Sequence, residues 1–259
     1  MKKTEIQQKI VLEQLEKQHT LTVPEVTSLL NVSESTVRRL FKRLDEQGVA
    51  LRRFGGIQLL KDSTTDYRYE QVINQSAIQK LNIGKYAAGL VESGDVIYID
   101  SGTTTACFCS ELATSLNKGK INSITVFTNS LVNLEVLSPH TQVNIVGGEY
   151  RLARRDFCGY LTEEAIEKLH FTKCFLGTDG FHQRYGFTAT DFATAKLNRL
   201  VINNTDKSFV LMDSNKFMNA SVVSYSKEKP VDYLITDCVP SEELRKNLTE
   251  IGTELMLCR

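Results

Sequence analysis

The chain has 259 residues, 41% of them hydrophobic and 24% charged, which excludes a sequence too polar to bury a core. No run of about 18 apolar residues exists, and the polar start MKKTEIQQK lacks the apolar segment of a signal peptide, so we expect a cytoplasmic protein with no membrane partner. The length favours two domains.

The cysteines and histidines give no sign of a metal site or a redox site. The six cysteines show no CxxC pair, and the four histidines show no ligand spacing such as HExxH. Scattered cysteines in a reducing compartment are mostly small buried hydrophobic residues. We therefore predict no metal, no cofactor and no catalytic residue.

Charge is distributed unevenly along a chain whose net charge is zero. Residues 1–61 carry 11 Lys and Arg against 7 Asp and Glu, whereas residues 62–259 carry 20 against 24. Residues 1–61 are therefore basic and the rest of the chain is mildly acidic, which favours a polyanionic partner for residues 1–61.

Three helices are predicted in the N-terminal part. The first covers residues 4–18. Thr22 and Glu25 have the spacing of a capping box at the start of a second helix. Ser33 is placed to cap a third helix that runs to about Gln47 and is closed by Gly48 at the C′ position.

The third helix has two contrasting faces. Its apolar residues follow an i, i+3, i+4, i+7 pattern: Val37, Leu40, Phe41 and Leu44. The opposite face is basic and hydroxylated, with Ser35, Thr36, Arg38, Arg39, Lys42 and Arg43. Two short helices joined by a tight turn, the second with such a face, are typical of a helix-turn-helix that reads duplex DNA in the major groove.

The next segment, VALRRFGGIQLL, predicts a β-hairpin wing that carries Arg52 and Arg53 beside the phosphate backbone. The alternative is that the charged helix face is only solvated, as most charge runs are. We favour DNA binding because the capping residues, the apolar stripe, the basic face and the hairpin occur together.

The stretch VSESTVRRLFKRLDEQGVALRRFGG resembles the N-terminal signature of the DeoR family of bacterial transcriptional regulators. Leu40 stands where that family generally has Asp, Phe41 where it has Leu, and Phe54 where it has His. The resemblance implies a winged helix-turn-helix domain, which we place at residues 1–60, and a double-stranded DNA operator as partner.

A polar linker, placed at 61–76, precedes a second domain at 77–259 in which apolar runs alternate with helical segments. The runs are DVIYID, ITVFTNS, VNIVGGEY, KCFLGTDGF, SFVLMDSN, YLITD and ELMLCR. This alternation predicts an α/β fold with a mostly parallel sheet covered on both faces. Ligands of such folds bind beyond the carboxyl ends of the strands.

Polar residues follow five of these runs. They are found in DSGTTT (100–105), TNS (128–130), GGEYR (147–151), GTDG (177–180) and DSNK (213–216). In the first of them, Gly102 lets the backbone approach a ligand, and the amides of the following helix start favour a phosphate. For each segment taken alone, an ordinary turn is the favoured interpretation, because Gly, Asp, Ser and Asn are common turn residues.

In this order the five segments resemble the effector domain of the DeoR family. The resemblance implies a sensor domain similar to ribose-5-phosphate isomerase and a phosphorylated sugar as effector. The implied effector-binding residues are Asp100, Gly102, Thr103, Thr104, Thr105, Asn129, Gly148, Arg151, Asp179 and Lys216.

Chemical roles can be assigned within this set. Loop 102–105 would hold the phosphate, Lys216 or Arg151 would neutralise it, and Asp100 and Asp179 would accept hydrogen bonds from sugar hydroxyls. The alternatives are turn capping for the two aspartates and surface charge for the two cations.

The function predicted from the sequence is that of a repressor of a sugar-utilisation operon, released from DNA by a phosphorylated sugar. One helix-turn-helix covers only a few base pairs, so a homo-oligomer, either a dimer or a tetramer, is expected. An activator role stays open. A sugar-phosphate isomerase with a DNA-binding head is the other alternative, but Thr194 occupies a position near which a catalytic Glu would be expected.

Overall fold

The computed structural model describes residues 3–18, 20–46, 50–53, 55–59, 69–183, 185–217 and 220–258. The chain divides into two compact units, Met1–Asp66 and Tyr67–Arg259. Gly48, Phe54, Arg259 and most of the predicted linker, 61–68, lie outside the described residues.

The first unit consists of three helices and a small sheet. Its elements are α1 Lys3–Gln18, β1 Thr20–Thr22, α2 Val23–Leu30, α3 Glu34–Glu46, β2 Ala50–Arg53 and β3 Gly56–Leu59. The three predicted helices and the hairpin are confirmed. Their common core includes the predicted stripe of α3, all four residues of which are buried.

The capping box at the start of α2 is also confirmed. The Glu25 amide donates to Thr22 Oγ1 at 3.4 Å, and the Thr22 amide donates to Glu25 Oε2 at 2.6 Å. Ser33 precedes α3 as predicted, but its hydroxyl lies 2.9 Å from Ser35 Oγ and 3.0 Å from Thr36 Oγ1 instead of bonding an amide.

The wing has a third strand that the sequence pattern did not predict. β1 pairs antiparallel with β3, which also pairs with β2. Gly55 has φ +76, and a Cβ at Gly56 would lie 2.6 Å from the Leu21 carbonyl oxygen of β1. The structure therefore explains why both positions are glycine. Gly55 adopts a left-handed backbone conformation, and Gly56 leaves no space for a side chain beside β1.

The second unit contains the remaining helices and strands. Its helices are α4 Tyr69–Val72, α5 Ala77–Ala88, α6 Thr103–Asn117, α7 Leu131–Leu137, α8 Tyr160–Glu167, α9 Phe192–Asn203 and α10 Glu242–Glu250. Its strands are β4 Val96–Ile99, β5 Thr125–Thr128, β6 Val143–Ile145, β7 Glu149–Arg151, β8 Asp156–Cys158, β9 Phe171–Gly177, β10 Gly180–His182, β11 Gly186–Ala189, β12 Thr205–Leu211, β13 Val223–Ser224, β14 Tyr233–Thr236 and β15 Glu254–Leu257. Helix α4 falls in the range that we assigned to the linker, but Tyr69 is buried and its amide donates to Ala153 O at 2.9 Å.

Seven strands form one sheet, in the order β15-β14-β12-β9-β4-β5-β6, and every pairing is parallel. Each of the seven apolar runs supplies one of these strands, so the predicted parallel sheet is confirmed. β7 with β8, and β10 with β11 and β13, form two small antiparallel additions.

Helices cover both faces of the sheet. Ile97 and Ile99 belong to a core cluster shared with α5, α6 and α7, whereas Tyr98 belongs to a second cluster shared with α8, α9 and α10. Successive β4 side chains thus enter opposite cores, as expected for a strand buried on both faces. None of the helices in the described ranges is long and apolar enough to cross a membrane.

Candidate functional site

The outer face of α3 is the first candidate surface. Ser35, Arg38, Arg39, Lys42 and Arg43 are exposed, and Thr36 is half-buried. The six predicted residues therefore lie together on the helix surface, opposite the buried stripe.

The arginines of this face make only weak contacts within the helix. Arg38 Nη2 lies 3.4 Å from Glu34 Oε2, with both side chains more than half exposed, and Arg39 Nε donates to Ser35 O at 3.4 Å. An exposed i, i+4 ion pair is worth only about 0.3–0.5 kcal/mol. A DNA phosphate or a guanine edge can compete with such contacts.

Strand β2 of the hairpin is tied to α3 through its backbone. The Arg52 amide donates to Asp45 Oδ1 at 3.3 Å. The Arg52 side chain does not take part in this bond and is exposed. Arg53 lies in β2, and its side chain is outside the described part.

The second candidate surface is a strand-end rim, which we define as the segments 100–105, 128–130, 147–151, 177–180 and 213–216. Each follows one of five adjacent strands, β4, β5, β6, β9 and β12. Because these strands are parallel, their carboxyl ends lie along one edge of the sheet. The structure therefore brings all five predicted polar segments to one edge.

Helix α6 begins within the rim. Gly102, with φ +153, precedes it, and the Thr105 hydroxyl donates to the Gly102 carbonyl at 3.0 Å. Thr103 and Thr104 are each 3% exposed, and neither hydroxyl has a hydrogen-bond partner among the residues that the structure describes. The first turn of α6 therefore offers two hydroxyls and the free amides of a helix start to a ligand.

Asp100 has a structural role at the bottom of the rim. Its Oδ1 accepts from the Ser101 amide at 2.8 Å, and its Oδ2 accepts from the Gly177 amide at 3.1 Å, which joins the ends of β4 and β9. Burial raises the pKa of Asp100 to about 7 against the effect of the Gly177 amide, and the charge of Asp156 adds to the rise. Both carboxylate oxygens are thus engaged by the backbone, which matches the turn-capping alternative.

Arg151 lies at the centre of a charge-compensated cluster. Its Nε and Nη2 donate to the fully buried Asp156 at 2.8 and 2.7 Å, and its Nη1 lies 3.0 Å from Asp191 Oδ1. Arg154 Nη2 lies 3.2 Å from Asp191 Oδ2. Although burial lowers the pKa of Arg151, the bonds to Asp156 and the charges of Asp156 and Asp191 raise it above its ordinary value. Two arginines face two carboxylates here, so this part of the rim has no excess positive charge.

Three further predicted residues are occupied by contacts that build the rim. Asn129 Nδ2 donates to Phe157 O at 2.9 Å, which leaves Asn129 Oδ1 buried without a partner in the described structure. Asp179 Oδ2 accepts from the Thr190 amide at 2.8 Å. A Cβ at Gly148 would lie 2.2 Å from Thr162 Oγ1, so packing alone requires glycine there.

Lys216 differs from Arg151 in its surroundings. Its ammonium donates to Thr178 O at 2.7 Å. Within the described ranges, no carboxylate lies within ion-pair distance of it. Lys216 is therefore the predicted cation whose charge is left for a ligand.

Sequence reasoning missed the acidic partners of Arg151. Asp156 follows Arg151 by five residues, across the β7–β8 hairpin, and Asp191 caps α9 by accepting from the Thr194 amide at 2.8 Å. Asp191 could have been found from its position directly before a helix. Over the described residues, no three His, Cys, Asp or Glu side chains form a group suited to a metal ion.

Comparison with known proteins gives two family matches on this chain. The family model of a DeoR-like helix-turn-helix domain matches residues 7–63, and that of a DeoR C-terminal sensor domain matches residues 75–238.

Curated relatives match nearly the whole chain. The uncharacterized transcriptional regulator FruR of Bacillus subtilis is 31% identical, over 91% of this chain and 90% of its own. The lactose phosphotransferase system repressor of Streptococcus mutans is 30% identical, over 90% and 91%. Among solved structures, ribose 5-phosphate isomerase A of Methanocaldococcus jannaschii is 18% identical over 54% of this chain and 53% of its own, with a TM-score of 0.41.

Proposed function

Because the chain belongs to the DeoR family of transcriptional regulators, we propose that it represses a sugar-utilisation operon and is released from its operator by a phosphorylated sugar. Residues of α3 and the wing contact the operator, and the strand-end rim binds the sugar phosphate. The name of the Streptococcus mutans relative, a repressor of a lactose system, supports a sugar-linked operon for this chain.

The DNA-binding part of the proposal is supported by the exposure and charge of α3. Its four cationic side chains, Arg38, Arg39, Lys42 and Arg43, all lie on the exposed face. Arginine makes bidentate contacts to guanine, and lysine binds phosphates mainly as a point charge. We expect Arg39 to read a base and the wing to contact the backbone.

The sensor part is carried by one observation, the start of α6 at the strand-end rim, where the hydroxyls of Thr103 and Thr104 have no hydrogen-bond partner among the described residues. Hydroxyl groups and the amides of a helix start can donate to phosphate oxygens. The helix start adds its positive dipole end. A phosphorylated ligand satisfies both features.

Release from DNA needs only a modest coupling between the two sites. A tenfold change in operator affinity corresponds to about 1.4 kcal/mol. A single helix-turn-helix covers few base pairs, so we propose that a dimer or tetramer binds repeated half-sites in the cytoplasm.

The experiment measures binding of the full chain to the DNA upstream of its own gene and of the neighbouring genes, by fluorescence anisotropy, with and without a panel of hexose and pentose phosphates. We expect a specific complex that one phosphate of the panel weakens at least tenfold, while its unphosphorylated sugar has no effect. An operator affinity that no phosphate changes would contradict the induction mechanism.

Arg39→Ala tests the DNA surface. It should weaken specific binding by about 1–3 kcal/mol if Arg39 reads a base. Lys9→Ala is the matched control, because Lys9 is an exposed cation of the same unit that pairs with Glu13 on α1. Equal losses in the two variants would assign the effect to overall charge instead of recognition.

We also propose that the chain has no isomerase activity. Proton transfer between sugar carbons requires a carboxylate base close to the ligand. Asp179, the candidate base of the isomerase alternative, accepts from the Thr190 amide at 2.8 Å. Asp100, Asp156 and Asp191 are likewise engaged by backbone amides or arginines. Turnover of ribose 5-phosphate or tagatose 6-phosphate above background by the purified protein would overturn this part.

A further inference from the structure

Lys80 is a buried lysine without an acidic partner. It is 1% exposed, and its ammonium donates to Val72 O at 2.7 Å. In the part of the chain that the structure describes, no Asp or Glu lies within ion-pair distance of it. An ammonium has three protons to donate, and burying its charge unpaired is costly.

The other buried lysine of the second unit shows what a structurally satisfied lysine looks like. Lys173 donates to Leu90 O at 3.0 Å, to Glu92 at 2.9 Å and to Asp95 at 2.8 Å, which uses all three protons and two carboxylates. Its pKa is raised by these partners against the effect of burial. Burial lowers the pKa of Lys80, and the charge of Lys216 lowers it further.

Lys80 lies beside the start of α6. Gly84, one turn further along α5, packs so closely against α6 that a Cβ there would lie 2.7 Å from the backbone of Cys107 and Phe108. This close approach brings the helix turn after Lys80 against the first turns of α6, and Lys80 and the Cys107 thiol each affect the pKa of the other.

Lys216 approaches the same place from the end of β12. Asn215 Nδ2 donates to Ser76 Oγ at 2.9 Å, which ties the turn of Lys216 to the residue preceding α5. The positive charge of Lys216 lowers the pKa of Lys80, and the buried carboxylate of Asp213 raises it. Asp213 stays outside ion-pair distance of Lys80 in the described structure.

The rim therefore has two electrostatically different halves. Around Arg151, two arginines are matched by two carboxylates at 2.7–3.2 Å. Around the start of α6, two ammonium groups donate to backbone carbonyls, and two threonine hydroxyls and the helix amides have no acceptor in the described residues. Here the two ammonium groups face one buried carboxylate, that of Asp213, so among these three groups one positive charge is left over.

We propose that Lys80 is a ligand of the effector phosphate, and that Lys80 and Lys216 together form the cationic side of a phosphate subsite at the start of α6. This inference rests on the proposed function and adds a binding residue to it. Phosphate oxygens supply further acceptors for both ammonium groups, which each have one carbonyl acceptor, and acceptors for both threonine hydroxyls. Arg151 is then part of the scaffold of the rim.

The test is calorimetric titration of the full chain with inorganic phosphate, and with ribose 5-phosphate and tagatose 6-phosphate, at constant ionic strength. Lys80→Met should weaken binding of inorganic phosphate roughly ten- to hundredfold. Lys118→Met, which removes an exposed cation at the opposite end of α6, is the matched control and should bind as the wild type does.

A second readout separates ligand binding from a purely structural role. Since Lys80 is an unpaired buried charge, Lys80→Met should keep or raise the midpoint of thermal unfolding without phosphate while it weakens phosphate binding. A lower midpoint with an unchanged dissociation constant would overturn the proposal. Should Lys80→Met not fold, Lys80→Gln keeps a donor for Val72 O without the charge, and phosphate binding equal to that of the wild type would overturn the proposal in the same way.

Failure of this inference is distinguishable from failure of the proposed function. If the wild type binds phosphate and the Lys80 variants bind it equally well, only the role of Lys80 is refuted. If binding depends on Lys80 but no sugar phosphate alters DNA affinity, the subsite stands and the induction mechanism falls. If the wild type binds no phosphate compound at all, both are refuted.

Discussion

The buried pair of Arg151 and Asp156 allows a quantitative test of which cations hold the rim together. The Asp156 side chain is fully buried and accepts two bonds from Arg151 and one, at 2.6 Å, from the Ser101 hydroxyl. Removing one partner of a buried ion pair typically costs about 3–5 kcal/mol. Arg151 would retain Asp191, so we expect Asp156→Asn to lie near the lower end, at about 3 kcal/mol.

The double variant Arg151→Met, Asp156→Asn sharpens this expectation. Arg151→Met leaves the Asp156 carboxylate buried with one hydroxyl donor and should cost a similar amount. Removing both charges avoids leaving either one unpaired, so the double variant should cost less than the two single variants together, by about 1–3 kcal/mol. Arg155→Met is the control, because Arg155 pairs with the exposed Glu135 and should lose less than about 1 kcal/mol.

Urea unfolding followed by tyrosine fluorescence is suited to this measurement. The chain has no Trp, and its nine Tyr all lie in the second unit, so the signal reports on that unit alone. Two single variants that each cost less than about 1 kcal/mol and add without coupling would refute the structural role of the pair. Arg151 would then be free to serve a ligand.

Three further predictions concern single positions. Gly148→Ala should destabilise the second unit by about 1–3 kcal/mol in urea unfolding, because its Cβ would meet Cys158 O at 2.5 Å; an unchanged midpoint would contradict this packing. Gly55→Ala places a side chain at φ +76 and should lower the free energy of unfolding of the first unit by about 1–2 kcal/mol, which would be measured as faster proteolysis of that unit. Equal rates of proteolysis in the variant and the wild type would argue against this turn geometry. Because the folded pKa of Asp100 is raised to about 7 from 3.8, its stabilising effect is full below pH 4 and is lost as the pH rises to 7. The stability of the wild type relative to Asp100→Asn should therefore fall between pH 4 and 7, by at most about 1.4 kcal/mol per pH unit, and a difference independent of pH would exclude this titration.

Local patterns predicted the three helices and the hairpin of the first unit and the seven parallel strands of the second, but not β1 or the small antiparallel strands. The capping box at Thr22 and the stripe of α3 are signals within one or two helical turns, and the parallel strands of the second unit are short apolar runs with polar ends. β1 escaped prediction because three residues, Thr20–Thr22, carry no periodicity, and their strand character depends on pairing with β3.

The position of the polar segments at the sheet edge could be predicted from the sequence, but the contacts among them could not. Motif resemblance brought ten residues to one sheet edge, yet the partners of Arg151 are set by the hairpin turn and by α9, 40 residues further along the chain. Lys80 left a usable signal. It lies three, four and seven residues before Ile83, Gly84 and Ala87, all buried, so a charged residue occupied the inner face of a helix.

The separation of paired and unpaired cations has a consequence for regulation. A ligand at 100 times its dissociation constant would stabilise the bound form by about 2.7 kcal/mol. That free energy can weaken DNA binding only as far as the ligand distinguishes the DNA-bound from the DNA-free conformation. A tenfold release needs about half of it, so an effector that binds mainly through its phosphate has enough binding energy to act, and its sugar part is left to determine which phosphate is recognised.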